Sequence, residues 1–358
     1  MSKIKIAIFV HGLSGGVGKV LLNYFTNMPS NYELDLITMY IESKTLLDEF
    51  EKNGFNVIKI PSKKESITRN LFDMFKILKR KKYDIAYAHM TLTNCFPLFI
   101  AKICGINVRI SHSHLAEKSN IYTKLLGTAT RIFSTDNLAC SNEAGYFLYG
   151  NRKFKILNNA INLNKYKFNS RIRDRIRKKY NIGSGTTVIG NVGRFSNQKN
   201  QKFVVDVFSE YHKINKNSML LFIGEGIQKN SIIDKVKKLK IEDSVLFLGQ
   251  IKNVHEVLQA MDIFLQPSLF EGLSLAAVEA QASGLPCVLS DTVSKETKII
   301  PNVSFISLNS PLNIWVKQCQ QFVNVPRHDV SKLLRNGGYD IKVESMLFDR
   351  YLRNKVNN

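Results

Sequence analysis

The sequence predicts an α/β protein of two domains, each a parallel sheet flanked by helices, and three observations support this. A chain of 358 residues is too long for one ordinary hydrophobic core. Short apolar runs ending in glycine or small polar residues alternate with stretches of helical periodicity, the pattern of βαβ units. That pattern starts twice, with a strand leading into a special turn from Ile4 and again from Thr187.

Composition narrows the class. Hydrophobic residues make up 44%, as in a globular protein. The five cysteines (Cys95, Cys104, Cys140, Cys287, Cys319) are scattered and never form CxxC, which argues against a disulfide framework or a zinc site and fits a reducing cytoplasm. The opening MSKIKIAIFVHG enters a strand directly, so no signal peptide is expected. The best spanning candidate, Thr91 to Ile106, is interrupted by Asn94, Pro97 and Lys102. The expectation is a cytoplasmic protein, soluble or peripheral on the inner face of the cell membrane.

The formal net charge is +22, and it concentrates locally: from Arg152 to Lys179 there are eleven Lys and Arg against one acid, and from Glu51 to Lys82 ten against three. Such charge suggests nucleic acid or an anionic membrane surface as partner. No RRM, KH, helix-turn-helix or zinc-finger pattern accompanies these runs, so no nucleic-acid partner is expected.

Taken in order, a strand from Ile4 to Val10 leads into His11–Lys19, HGLSGGVGK, and then a helical run from Val20 to Met28. A glycine-rich turn between strand and helix lets backbone N–H groups approach a phosphate, which marks Gly15 and Gly16. A Walker A loop would need glycine where Leu13 stands and a hydroxyl where Val20 stands. The KGGVGKT loop of ParA-like ATPases fits Gly15 to Lys19 better, but Ser14 replaces its first lysine and a valine cannot bind magnesium. A ParA-like nucleotide-driven switch therefore stays as an alternative reading.

Strands follow at Glu33 to Met39 and Asn56 to Ile60, with a helix from Lys44 to Asn53 between them. Ser66 to Lys82 places Leu71, Phe72, Phe75 and Leu78 at helical spacing, with Lys76, Lys79, Arg80, Lys81 and Lys82 on the other face. Two readings are open for that face: it is simply solvated, or its basic end touches anionic lipid heads. Further strands are expected at Asp84 to His89, Val108 to His112 and Leu138 to Cys140, with helices from Asn94 to Cys104 and from Ser141. VRISHSH brings His112 and His114 to a strand end. A lone histidine there is usually structural; two at a strand C-terminus point to a site, without showing which faces a ligand.

After a basic run from Arg171 to Tyr180, VIGNVGRFSNQKN runs from a strand into Gly193, Arg194 and Phe195, then reaches Lys199 at a helix start. Strand-then-glycine patterns recur at Leu220 to Gly224 and Val245 to Gly249, where Gly249 permits close backbone approach. A short strand is expected at Val303 to Ile306 and a last helix from Asp340 to Val356.

The stretch that organises the chain is Met261 to Asp291, MDIFLQPSLFEGLSLAAVEAQASGLPCVLSD. It reads as a strand (Ile263 to Leu265), a loop carrying Glu271 and Gly272, a helix with Ser274 as N-cap and its end at Gly284, then a strand from Cys287 to Ser290. Ligands of such a βαβ unit sit where strands end and helices begin. The helix is apolar or small nearly all round except at Glu279, a carboxylate that burial makes costly unless hydroxyls hydrogen-bond it. Glu271 lies just ahead of a helix N-terminus, whose free N–H groups attract phosphate.

This segment resembles the signature of the retaining, nucleotide-sugar-dependent glycosyltransferases of family 4, the group 1 glycosyltransferases with a GT-B fold. VGRFSNQKN is similar to the family's VGRxxxxKN, KILNNAIN (Lys155 to Asn162) to its xxxNGID, and VRISHSH and LACSNEAGYFLYG to stretches of its capsule and exopolysaccharide members. Gly15 and Gly16 match the family's GGxE loop, whereas Gly18 stands at its glutamate. The resemblance implies two Rossmann-like domains facing a cleft: residues 1–165 for the acceptor, 166–339 for the nucleotide sugar, and a helix over 340–358 returning to the first domain.

It further implies Glu271 and the amides of Gly272, Leu273 and Ser274 on donor sugar and phosphate, Glu279 on ribose, and Arg194 and Lys199 on the leaving diphosphate. Gly193 and Gly249 lie close to the nucleotide, and His114 joins the catalytic set. No DxD occurs anywhere, so no metal is expected and no cofactor beyond the donor, a UDP-sugar. A lipid-linked oligosaccharide is the implied acceptor, in cell-surface polysaccharide synthesis. A non-catalytic sugar-nucleotide-binding homologue is the remaining alternative.

Overall fold

Near-continuous apolar runs make strands that are buried on both faces, which suits parallel sheets covered by helices. The structure is a computed structural model that describes residues 3–13, 15–29, 31–115 and 120–357. Ser14, weighed above against the ParA-like lysine, lies outside the described residues. The chain forms two compact units, Met1–Ile161 with Asp340–Asn358, and Asn162–Tyr339.

The first unit contains β1 (Ile4–Leu13), β2 (Tyr32–Ile41), β3 (Phe55–Lys59), β4 (Ile85–His89), β5 (Val108–Ser113), β6 (Asp136–Ala139) and β7 (Lys155–Ile156). They form one sheet in the order β3-β2-β1-β4-β5-β6-β7, with every pairing parallel. The order reverses between β1 and β4. Phe9, Ile37, Met74, Leu78 and Leu98 lie in its core. The helix Ile341–Asn357 packs in this unit: Phe348 meets Tyr24 edge-on at 5.5 Å, Tyr32 donates to Asp349 at 2.7 Å, and Tyr351 donates to Asp136 at 2.9 Å. Its entry is pinned by the Ile341 N–H donating to the Ile161 carbonyl at 3.0 Å.

The second unit contains β8 (Thr187–Val192), β9 (Ser218–Ile223), β10 (Val245–Phe247), β11 (Ile263–Gln266), β12 (Cys287–Ser290) and β13 (Val303–Ile306). Their order is β10-β9-β8-β11-β12-β13, again all parallel. Here the reversal falls between β8 and β11. Phe208, Phe222, Leu265 and the single tryptophan, Trp315, are buried together.

Two local expectations change. The glycine-rich stretch is not a loop: β1 continues to Leu13 and the helix already begins at Gly15. Gly18 is buried within it, and a Cβ there would come within 2.7 Å of the Leu46 side chain. A side chain at this position, where the family has glutamate, would require the Leu46 side chain on the helix Lys44–Lys52 to shift. The second change concerns Ile67–Arg80, which buries Asn70, Met74 and Leu78, with Leu71 and Phe75 only partly covered and Phe72 63% exposed. Asn70 is drawn inward because its amide donates to the Pro61 carbonyl at 2.6 Å. Lys81 is no free surface cation either, since it bridges Glu33 at 2.8 Å and the buried Asp35 at 2.6 Å.

The β8–β11 junction is tied by Asp262. One of its oxygens pairs with Arg173 at 2.5 Å. The other takes Arg177 and the Val188 N–H, both at 2.7 Å. Arg177 is 4% exposed. Asp262→Ala would leave a buried guanidinium without its carboxylate, which costs about 3–5 kcal/mol. Urea denaturation followed by Trp315 fluorescence should show the transition of the second unit moving to markedly lower urea; an unmoved midpoint would show the tie to be ornamental.

Candidate active site

In the second unit the site grows from the two strands at the reversal of sheet order, the place where parallel α/β sheets open beyond their strand ends. The chain leaves β8 through Gly193, whose N–H donates to the Ile223 carbonyl at 2.9 Å. Gly224 and Gly226, beyond β9, let the turn sink in: at φ +140° and +157°, a Cβ on either would lie 2.0 Å or 2.3 Å from the carbonyl oxygens of Gly193 and Phe195. Arg194 is thereby carried between two fixed backbone points. The aliphatic part of Lys199 runs back past Gly193, where a Cβ would meet it at 3.4 Å. The helix Gln201–Ile214 follows after Asn200, which holds a left-handed φ of 53°.

This turn is sewn to the loop after β11. The Leu269 N–H donates to the Gln198 carbonyl at 2.7 Å, Gln198 donates to the Phe270 carbonyl at 3.1 Å, and Asn200 donates to the Pro267 carbonyl at 3.1 Å. The outcome is an ion pair between Lys199 and Glu271. The backbone of Glu271 is fixed by a bridge to Val293, with the Ser294 N–H donating to its carbonyl at 3.2 Å. Its side chain also receives the Ser268 hydroxyl at 3.4 Å.

Gly272, Leu273 and Ser274 are buried and lead into the helix Leu275–Ala282, where Ser274 accepts the Ala277 N–H as N-cap. The Ser274 hydroxyl donates to Gln266 at 2.8 Å, locking the loop onto β11. Glu279 is 3% exposed. One of its oxygens accepts the hydroxyl of Tyr166 at 2.6 Å. Burial, with the carboxylate beside it, pushes that phenol well above its ordinary pKa, so it stays a donor. Tyr166 was not singled out from the sequence, where nothing in LNKYKF distinguishes it. Gly249 holds φ +67° and its carbonyl accepts the Gly224 N–H at 2.9 Å.

Gly15, Gly16 and His114 belong to the first unit. Gly15 (φ +67°) and Gly16 are exposed at the N-terminus of the helix Gly15–Asn27, and Lys19 is exposed one turn on. His112 and His114 lie two residues apart and therefore on the same side of the β5 strand line. His112 is fully buried and exchanges a hydrogen bond with the Tyr87 hydroxyl through Nδ1 at 2.8 Å. His114, just past the strand, is only partly buried, and its Nε2 lies 2.8 Å from Nδ1 of His89. His114 is thus the more open of the pair. Burial lowers its pKa to about 4, and pushes His89 and His112 well below the usual range, so all three rings are neutral. His89 was also unmarked in the sequence, ending a strand that carries no motif.

Nine of the expected residues (Gly193, Arg194, Lys199, Gly249, Glu271, Gly272, Leu273, Ser274 and Glu279) therefore lie in the second unit, eight on elements that meet at the sheet reversal and Gly249 after the edge strand β10, linked to them through Gly224. A cation held against a carboxylate beside a capped helix N-terminus suits a ligand with both phosphate and hydroxyl groups.

Residues 172–304 match the family model described as glycosyl transferases group 1. The chain is 26% identical to the Escherichia coli UDP-Gal:alpha-D-GlcNAc-diphosphoundecaprenol alpha-1,3-galactosyltransferase, covering 99% of this chain and 98% of that protein. It is 25% identical to the Staphylococcus aureus capsular polysaccharide biosynthesis glycosyltransferase CapH, covering 78% and 79%. Among solved structures, Anabaena HepE in complex with UDP and glucose superposes with a TM-score of 0.80 at 14% identity, over 98% of this chain and all of that one (100%). The chain is a glycosyltransferase with the GT-B fold, its second unit carrying the stretch similar to the group 1 enzymes.

Proposed function

We propose that the protein transfers a hexose from a nucleotide sugar, a UDP-sugar, to a lipid-linked saccharide with retention of anomeric configuration, in bacterial cell-surface polysaccharide assembly. The observation that carries the reading is the Lys199–Glu271 pair, built from two segments that meet only because β8 and β11 are neighbours. Similarity to the Escherichia coli enzyme, which uses UDP-Gal and a diphosphoundecaprenol acceptor, supports the donor class and the lipid diphosphate acceptor, and similarity to CapH supports polysaccharide synthesis. The similarity of VRISHSH and LACSNEAG to capsule and exopolysaccharide members supports the pathway class.

In this reading the β-phosphate meets Arg194 and Lys199, together with the amides at Gly272, Leu273 and Ser274. Glu271 receives hydroxyls of the donor sugar. Glu279 receives ribose hydroxyls, its orientation set by Tyr166. As the bond from the sugar's anomeric carbon to the phosphate oxygen breaks, negative charge grows on the diphosphate, and fixed cations stabilise it most in the transition state. The acceptor hydroxyl attacks from the same face and gives its proton to the departing phosphate. His114, neutral, serves as a hydrogen-bonding partner of the donor sugar. The ParA-like alternative loses its footing, because Gly15 to Lys19 form helix and not a phosphate-wrapping loop.

Among the described residues no helix is long and apolar enough to cross a membrane. We place the protein on the cytoplasmic membrane face through the first unit, where exposed Phe72, on the helix Ile67–Arg80, accompanies Lys76, Lys79, Arg80 and Lys82. Each such cation contributes on the order of 1 kcal/mol near anionic lipid.

Glu279→Gln should weaken UDP binding about tenfold or more, since hydrogen bonds to a charged group are worth roughly 1.5–3 kcal/mol. Calorimetry showing unchanged affinity for UDP and GDP alike would remove Glu279 from the ribose. Arg194→Ala and Lys199→Ala should each lower kcat more than they raise KM. Wild-type turnover at saturating donor would take that residue out of the phosphate clamp. Sedimentation with vesicles should show binding to anionic but not neutral lipid, weakened by salt and by changing Lys76, Lys79, Arg80 and Lys82 to Gln. Lys81 is left intact because it is spent on Asp35. Indifference to lipid charge would refute the membrane assignment.

A further inference from the structure

Three histidines of the first unit, His89, His112 and His114, form a cluster that the transfer reaction does not require. Tyr87 and His89 alternate along β4, and His112 and His114 follow along β5, its parallel neighbour. Four rings thus cluster at the ends of these two strands. His112 and His114 have centroids 4.0 Å apart, His89 and His114 5.0 Å, and His89 and His112 4.9 Å. One nitrogen from each histidine falls within 4.8 Å of the others.

Polar atoms are left over inside this stack. Nε2 of His89 and Nε2 of His112 are buried and have no hydrogen-bond partner. An unmade hydrogen bond at a buried polar atom is destabilising, so two in one cluster call for a partner. The Tyr87 hydroxyl fixes Nδ1 of His112 and so aims the other ring nitrogen into the cluster. Metal-bound histidines usually have this arrangement, one nitrogen held by a neighbour and the other on the ion. Neutral imidazoles are the ligand form.

We propose that His89, His112 and His114 form a binding site for a borderline divalent transition ion such as Zn2+, and that its occupancy inhibits sugar transfer by engaging His114. The inhibition rests on the function proposed above; the binding does not. Three nitrogen ligands with the fourth position open on the side of partly buried His114 match a Zn2+ sphere, with Zn–N distances of about 2.0–2.1 Å. The nitrogens draw together by ring rotation, and the hydrogen bond between His89 and His114 gives way. Each neutral ring keeps its single N–H on the nitrogen turned away from the ion, so no proton need be released. Magnesium and calcium, which prefer oxygen, should not enter.

The test uses the full chain, first stripped with EDTA. Co2+ should give a visible d–d absorption saturating at one ion per chain, displaced by Zn2+ and not by Mg2+. His89→Asn should lower Zn2+ affinity at least tenfold, measured by competition with a chromogenic chelator. Tyr87→Phe, which keeps the ring, should weaken it too, and circular dichroism melts identify any variant that fails to fold. With donor and acceptor present, the stripped enzyme should remain active, Zn2+ should inhibit it, EDTA should restore it, and His89→Asn should resist inhibition. Equal Zn2+ affinity in wild type and His89→Asn, or no Co2+ band, overturns the site. A Co2+ band with undiminished transfer overturns the inhibition. Absence of transfer from every nucleotide sugar, with the band intact, would instead sink the transferase reading and leave the metal site standing.

Discussion

Everything in the second unit depends on the pairing of β8 with β11, two strands with seventy residues of chain between them. A parallel sheet that grows outward in both directions from one strand must leave a gap between the first connections on either side. The gap is lined by whatever follows those strands, here the turn from Gly193 to Asn200 and the loop from Pro267 to Ser274. The junction is reinforced by side chains that serve the backbone: Asp262 takes the Val188 N–H, and the Asn191 amide donates to the Leu265 carbonyl at 2.7 Å. Lys199 and Glu271 meet because their platforms are fixed; their own attraction is a late term.

A small part of the basic character serves the interior. Arg173, Arg177 and Arg327 gather around Asp262 and the carbonyls at the end of the helix Val254–Ala260. Arg327 donates to the carbonyls of Gln259, at 2.8 Å, and Met261, at 3.0 Å, and Arg177 donates to those of Gly183, Ser184 and Thr186, each at 3.0 Å. Burial, aided by the neighbouring guanidiniums, pulls Arg327 down to about 9. These cations act as multi-armed donors for loops that would otherwise hide unpaired carbonyls. The basic run from Arg152 to Lys179 is therefore in part internal wiring, whereas the exposed lysines of Ile67–Arg80 have no such duty.

The strands and the βαβ unit around Glu271 were legible because each is written locally: an apolar run, a cap, a stop at glycine. Ser274 caps as read, β13 has the bounds read for it, and Glu279 is the buried carboxylate that the all-apolar helix foretold. What could not be read depends on partners distant in sequence. Gly18 is buried because Leu46 covers it, Asn70 turns inward because of the Pro61 carbonyl, and Tyr166 reaches Glu279 across 113 positions. His89 carried no signal, since its meaning comes only from a neighbouring strand. In the sequence no element is read at Ile121–Phe133, Lys229–Lys238 or Leu312–Val323; in the first of these, apolar Ile121 and Leu125 lie exposed, so its apolar residues do not mark one buried face.

The first unit is written in two pieces, with Asn162–Tyr339 set between them. On a ribosome, its sheet would emerge early, yet the segment whose Phe348 covers Tyr24 and whose Tyr351 engages Asp136 is translated only after the whole intervening unit. Until then the outer side of the helix Gly15–Asn27 stays uncovered, and the nascent sheet has an unsealed seam. The second unit, contiguous in sequence, can complete its core first. The domain that begins last is thus free to mature earliest, and co-translational assembly of the other waits on the final helix.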